Sequence, residues 1–153
     1  SLRAAFGDKH AIYIKALSDY WELKCAAMRE ALDGDGALDE ALMRVYDAAR
    51  SIYFSGADRA RGCFVVGTAV TEAVDDAEIR SLVATGLRTL DAGFEARLRL
   101  ACEAGELRKD ADPEALAMLA SATMHTMAIR ARAGTSRRDL RKLARKAVSM
   151  ICG

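Results

Sequence analysis

Apolar side chains recur every three or four residues along most of the chain. That is the spacing of one helix face. From Asp8, which suits an N-cap, the stripe runs Ile14, Leu17, Trp21, Cys25, Met28 and Leu32. A second stripe of Tyr13, Ala16, Tyr20, Leu23 and Ala27 widens the apolar arc, so this helix meets neighbours on more than one side. A short apolar helical segment ending at Phe6-Gly7 precedes it. Asp33-Gly34-Asp35-Gly36 marks a turn. Leu38, Leu42, Val45, Ala49 and Ile52 then form one face of the next helix, which ends around Ser55-Gly56. RGCFVVGTAVTEAV is rich in β-branched residues, but no second strand-like run could pair with it. It reads as a short helix, apolar almost all round, at the centre of a bundle. Asp75 and Glu78 fit a capping box before a stripe of Ile79, Leu82, Val83, Leu87, Leu90, Phe94 and Leu98. Asp112-Pro113 opens a further helix as N-cap and first helical residue. Ser136 and Asp139 cap the last helix. The pattern predicts an all-α bundle with helices near 9–32, 37–54, 60–73, 77–104, 113–133 and 137–151.

Composition agrees with this pattern. The chain has 153 residues, 52% of them hydrophobic, with a single Pro. That is enough chain for one domain with a substantial core. No apolar run approaches the roughly 18 residues of a membrane span, and no signal peptide is visible. The four cysteines are scattered without a CxxC pair, which points to reduced thiols in a cytoplasmic protein. The net charge of +1 hides an asymmetry: residues 72–125 carry 6 basic and 11 acidic side chains, and residues 126–153 carry 8 and 1. The basic pole reads first as a solvated helix face that complements acidic neighbours.

Catalytic constellations are absent. His10 and His125 lie far apart, and neither is preceded at three residues by Glu, so a di-iron bundle is excluded. DGDGALDE opens like a calcium loop but has Leu38 and Arg44 where Gly and Glu are required. No phosphate-binding GxxxxGK[ST] and no GxSxG occurs. No metal, cofactor or enzymatic activity is implied. Cys63, near a helix start and beside Arg61, reads either as a reactive thiolate or as a small buried hydrophobe.

The opening SLRAAFGDKHAIYIKAL resembles the junction between the DNA-binding and regulatory domains of TetR/AcrR-type bacterial regulators. The family pattern there is approximately Leu-Tyr-x-His-Phe-x-x-Lys-x-x-Leu. Leu2, Phe6, Lys9 and Ile12 occupy matching places, while Arg3 and Ala5 stand where Tyr and His are usual. RGCFVVGTAV is similar to the family's sixth helix. DADPEALAMLASATMHTMAIRARAGTSRRDL is similar to its eighth helix and the start of its ninth. The resemblance implies that residues 1–7 are the remnant of a helix-turn-helix recognition helix, its two preceding helices lying outside these 153 residues. It implies that residues 8–153 form an effector-binding and dimerisation domain. It further implies DNA contact through the N-terminal domain, with Arg3 and Lys9 near phosphates, and a repressor responding to a small molecule.

Large or polarisable groups expected around the central 60–73 segment nominate a ligand site of Trp21, Tyr53, Cys63, Phe64, Phe94 and His125. Their chemistry suggests a largely apolar or aromatic effector. The helix at 113–133 is apolar on more faces than one neighbour can cover, and the last helix has a clean apolar stripe. Leu116, Ala120, Met124, Leu140, Leu143, Ala147 and Ile151 are therefore the expected homodimer interface. A helical-bundle carrier or enzyme with an internal pocket, and a dimerisation module without ligand, remain alternative readings.

Overall fold

A computed structural model describes residues 2–55 and 62–153, with Arg3 described by its backbone alone. The described residues form six α-helices and no strand: α1 (Leu2–Asp33), α2 (Leu38–Tyr53), α3 (Val70–Glu72), α4 (Ala77–Glu103), α5 (Pro113–Arg132) and α6 (Arg137–Cys152). A π-helical turn, Val65–Ala69, leads into α3. The all-α expectation holds, and α2, α4, α5 and α6 begin and end within a residue of their expected limits. No described helix is long and apolar enough to cross a membrane.

Three local expectations need correction. Helix α1 does not restart at Asp8; it runs unbroken from Leu2 through Gly7. A mid-helix Gly costs only about 1 kcal/mol, and Asp8 is then an ordinary exposed helical residue. The cap of α4 is Asp76, not Asp75. Asp75 is still engaged in the preceding turn, its N–H bonded to Glu72 O. Asp76 is extended, and its Oδ1 accepts from the N–H groups of Glu78 and Ile79, both at 3.0 Å. The central helix opens at Phe64, with Gly62 and Cys63 still non-helical, and it opens underwound, with Val70 N–H bonded to Val65 O. The expected start at residue 60, the Gly56 end of the second helix and Arg61 lie outside the described residues.

The remaining stops and starts follow the sequence signals. Asp112 accepts from the N–H groups of Glu114 and Ala115 ahead of Pro113, and Ser136 accepts from Asp139 N–H. Helices α4 and α5 end in glycines of positive φ, Gly105 at 76° and Gly134 at 97°. Each closes with a paired Schellman arrangement: Glu106 N–H to Ala101 O with Gly105 N–H to Cys102 O, and Thr135 N–H to Arg130 O with Gly134 N–H to Ala131 O.

Helix α1 lies against α2 and α4, α4 against α5, α5 against α6, and α6 returns to α2. The π-turn sits against α4 and α5, and α3 against α4. Glycines at heptad spacing on α4 receive heptad-spaced large side chains of α1. A Cβ on Gly86 would overlap the indole of Trp21, and one on Gly93 would press on the Met28 methyl. Two tyrosines on α2, also seven residues apart, bind backbone carbonyls of α5: Tyr46 Oη donates to Ala120 O at 2.8 Å and Tyr53 Oη to Met124 O at 3.2 Å.

Candidate functional site

Lys24 occupies the inward face of α1. It is only 2% exposed, yet it forms no ion pair with any described residue. Its ammonium donates to Cys63 Sγ at 3.5 Å. It stands 5.9, 5.8 and 5.7 Å from the ring centroids of Tyr20, Trp21 and Tyr53. Ring faces attract a cation, but they do not replace the hydration of a buried charge.

The surrounding polar atoms are also underused. Tyr20 Oη, Trp21 Nε1 and His125 Nδ1 are buried without a hydrogen-bond partner. Buried polar groups are normally satisfied, so three such atoms in one neighbourhood call for a reason. Burial, and then the neighbouring Cys63, push the Tyr20 phenol above its ordinary pKa. Burial, followed by the charge of Lys24, pushes His125 below the usual imidazole value, and Asp91 opposes this. Among the described residues no group of three His, Cys, Asp or Glu side chains could hold a metal ion.

Local structure explains why these groups meet. Lys24 falls on the helical rise Leu17, Trp21, Lys24, Met28, a charge placed where the stripe demands an apolar residue. Gly62, at φ +67°, turns the chain so that Cys63 faces α1, and the side chain of Arg132 lies across Gly62 and Gly67 from the α5 side. Phe64 packs its ring against Tyr13 and Tyr20, 5.3 and 5.9 Å between centroids. Tyr13 Oη and Thr68 Oγ1 are 2.8 Å apart. Of the six residues expected to line a ligand site, Trp21, Tyr53 and Cys63 gather around Lys24, His125 feels its charge, and Phe64 joins through Tyr20. Phe94 does not share these contacts; its ring partner is Tyr46, 6.3 Å away and two turns before Tyr53 on α2. Lys24 and Tyr20 were not among the expected residues. Their signal was a cation and a phenol at helical spacing inside an apolar stripe.

The sequence pattern of a family described as "Tetracyclin repressor-like, C-terminal domain" matches residues 39–148. This chain belongs to the TetR family. The HTH-type transcriptional regulator YezE of Bacillus subtilis (strain 168) is 28% identical over 118 residues, 76% of this chain. The chain spans 60% of the length of that regulator. Among solved structures, a TetR transcriptional regulator from Chloroflexus aurantiacus superposes with a TM-score of 0.77 at 21% identity, covering 99% of this chain and 76% of that one. The TetR-family regulator CifR, a cysteine mutant complexed with 26-bp double-strand operator DNA, superposes at 0.75 with 26% identity, covering 97% and 78%.

Within this TetR frame, α1 is the segment that leads from the N-terminal end of the chain into the core. Its first two turns are exposed, Lys9 included, while the side chain of Arg3 lies outside the described residues. His10 ties this part of α1 to the bundle: its Nε2 lies 2.8 Å from Asp76 Oδ2 and 3.9 Å from Glu78 Oε2. The same carboxylate caps α4. It is held below the usual carboxylate pKa first by the Ile79 N–H and also by His10.

The residues nominated for a dimer interface divide into two groups. Ala120, Met124 and Leu140 are fully buried within a single chain, so they have no surface to offer a second copy. The helical period turns Ala120 and Met124 of α5, and Leu140 of α6, into the core of the single chain. Leu116, Leu143 and Ala147 are half-buried. Ala147 and Ile151 instead floor an open apolar groove of ≈ 440 Å³ between α5 and α6, bordered by Leu119, Ala122 and Met150. Leu119 is 52% exposed and Met150 84%, with Met118 and Ile129 also exposed on α5. The apolar outer face was expected, but its prominent residues were not the ones named.

Proposed function

We propose that this chain is the effector-binding and dimerisation part of a homodimeric TetR-type repressor, with residues 8–153 as the regulatory domain and residues 1–7 as the end of the recognition helix. The supporting observation is the buried, unpaired Lys24 among unsatisfied polar atoms. A structural core has no use for such a group, whereas a ligand site does. DNA recognition would belong to an N-terminal helix-turn-helix ahead of α1, as the operator complex of CifR suggests by analogy. The protein would act in the cytoplasm without catalysing a reaction.

Coupling would run along contacts already described. The 62–73 segment lies between the Lys24 site and the turn that carries Asp76, and Asp76 holds α1 at His10. A ligand that moved this segment would re-aim the N-terminal half of α1. Two reading helices must stand about 34–36 Å apart to enter successive major grooves, so a change of tilt would lower operator affinity. The dimer would bury the α5–α6 groove against its twofold mate, with Leu119, Met150 and Ile129 near the centre.

Two measurements test this reading. Sedimentation should give a dimer at micromolar concentration that persists in high salt, and Leu119→Glu with Met150→Glu should give a folded monomer. A monomeric parent protein would remove the dimer. Selection of genomic fragments by the native gene product should enrich one palindromic sequence. Enrichment of none would remove the repressor.

A further inference from the structure

The chemistry of the Lys24 site is one-sided. Lys24 offers N–H donors only, and the indole of Trp21 offers one more. Tyr20 adds a buried phenol beside Cys63. Around them stand ring faces and a thiol, and no described carboxylate pairs with the ammonium. A donor-rich, positively charged, apolar-walled site matches a head group that only accepts hydrogen bonds and carries one negative charge.

We propose that the effector is a small organic monocarboxylate with a flat apolar body, its carboxylate paired with Lys24. This deepens the effector-site reading above and rests on it. A carboxylate is acceptor-only, and pairing converts a costly isolated buried charge into a neutral pair. A cationic ligand is disfavoured because Lys24 already occupies the space between the three rings. A neutral ligand would leave the ammonium as uncompensated as before. A phosphate would bring more negative charge than one ammonium balances, and no Arg among the described residues joins the group to supply a bidentate fork. The flat body follows from the walls: Tyr20, Trp21, Tyr53 and Phe64 offer ring surfaces. Entry requires Cys63 to leave Lys24, which moves the 62–73 segment and supplies the coupling step.

Trp21 is the only Trp, so its emission reports on the site directly. The unmodified protein is titrated with benzoate and 2-naphthoate, with the isosteric benzamide and 2-naphthamide, and with inorganic phosphate. At least one acid should give a saturable change, with its amide weaker by about tenfold or more, and phosphate should give none. Lys24→Met should abolish the preference of acid over amide, and Lys24→Arg should retain part of it. Amides binding as well as acids would overturn the carboxylate while leaving the effector site standing. Phosphate binding as well as the acids would overturn the choice of anion. Absence of any saturable change, or an acid preference intact in Lys24→Met, would overturn the proposal. The acid–amide comparison needs no substitution, so it decides the matter even if Lys24→Met fails to fold.

Discussion

Tyr46 and Tyr53 sit two turns apart on α2, and each donates to a carbonyl of α5. Their surroundings differ. Around Tyr46 the packing is close and mainly apolar: Phe94 stacks on it, and Leu42, Leu90, Leu98 and Met124 are all buried. Beside Tyr53 stand the Lys24 ammonium and the Cys63 thiol, and Lys24 in turn lies near Tyr20, Trp21 and His125, each with a buried polar atom lacking a partner. One region of the bundle is a close-packed core in which the buried Tyr46 hydroxyl is satisfied. The other keeps a charge and several donors in reserve. Proteins retain such unsatisfied groups where function requires them, and the packed end bears the cost in stability.

The largest expected effect is at the packed end. Phe94→Ala should destabilise the fold by about 3–5 kcal/mol, the cost of a large core cavity, measured by denaturant unfolding. A loss below about 1 kcal/mol would mean that the Tyr46 end is not the rigid half. At the other end the sign should reverse. Lys24→Met keeps the length of the stem and removes a buried unpaired charge, so the unliganded protein should gain stability, on the order of 1–2 kcal/mol. A loss of similar size would show that the ring faces already compensate the ammonium and that the two ends are equally structural.

Most of the fold was legible from period and punctuation. Asp112-Pro113, Ser136 and the C-terminal glycines act locally, within one helical turn, so sequence alone identifies them. The break expected at Phe6-Gly7 rests on Gly7 and on Asp8 as an N-cap, and it fails because one exposed Gly does not outweigh a helix that continues on both sides. The π-turn was not legible. It depends on how residues 62–69 are held between α1 and α5, and no local signal encodes that. The candidate site was half legible. Aromatic and sulfur-bearing residues pointed toward it, but Phe94 faces the wrong end because α4 passes both. Lys24 is hard to read because a lysine on a long helix is ordinarily solvated, and only the helical phase shared with Leu17, Trp21 and Met28 betrays it. The interface residues erred for a related reason: the period of α5 shows that it is apolar all round, but not which side the monomer uses.

Asp76 sharpens the comparison from outside the core, because it joins the reserve end to the N-terminal half of α1. Asp76→Ala removes the side chain that accepts from Glu78 and Ile79 N–H, and it should cost about 1 kcal/mol. His10→Ala, which spares the cap, should cost less, since the contact with Asp76 is largely exposed. If both cost the same, Asp76 would serve α1 rather than α4.

The smallest effect separates the two ends by pH. His125 is the histidine at the reserve end, and its folded pKa is depressed, first by burial and then by Lys24. The unfolded chain therefore takes up this proton more readily than the folded one. The resulting stability is fully present above the unfolded value of about 6.5 and is lost as pH falls through the lower folded value. The slope cannot exceed about 1.4 kcal/mol per pH unit for one proton, and partial solvent access should keep it well below that. His10 is the only other histidine, so thermal unfolding between pH 7.5 and 5 in a His10→Asn background isolates the term. Stability should fall on acidification in that background and lose most of this dependence in His125→Phe. In Lys24→Met the fall should become shallower, because the second cause of the depression is gone while burial remains. A slope unchanged by Lys24→Met would mean that the ammonium does not act on His125, and the reserve end would then be a set of separate groups rather than one electrostatic site.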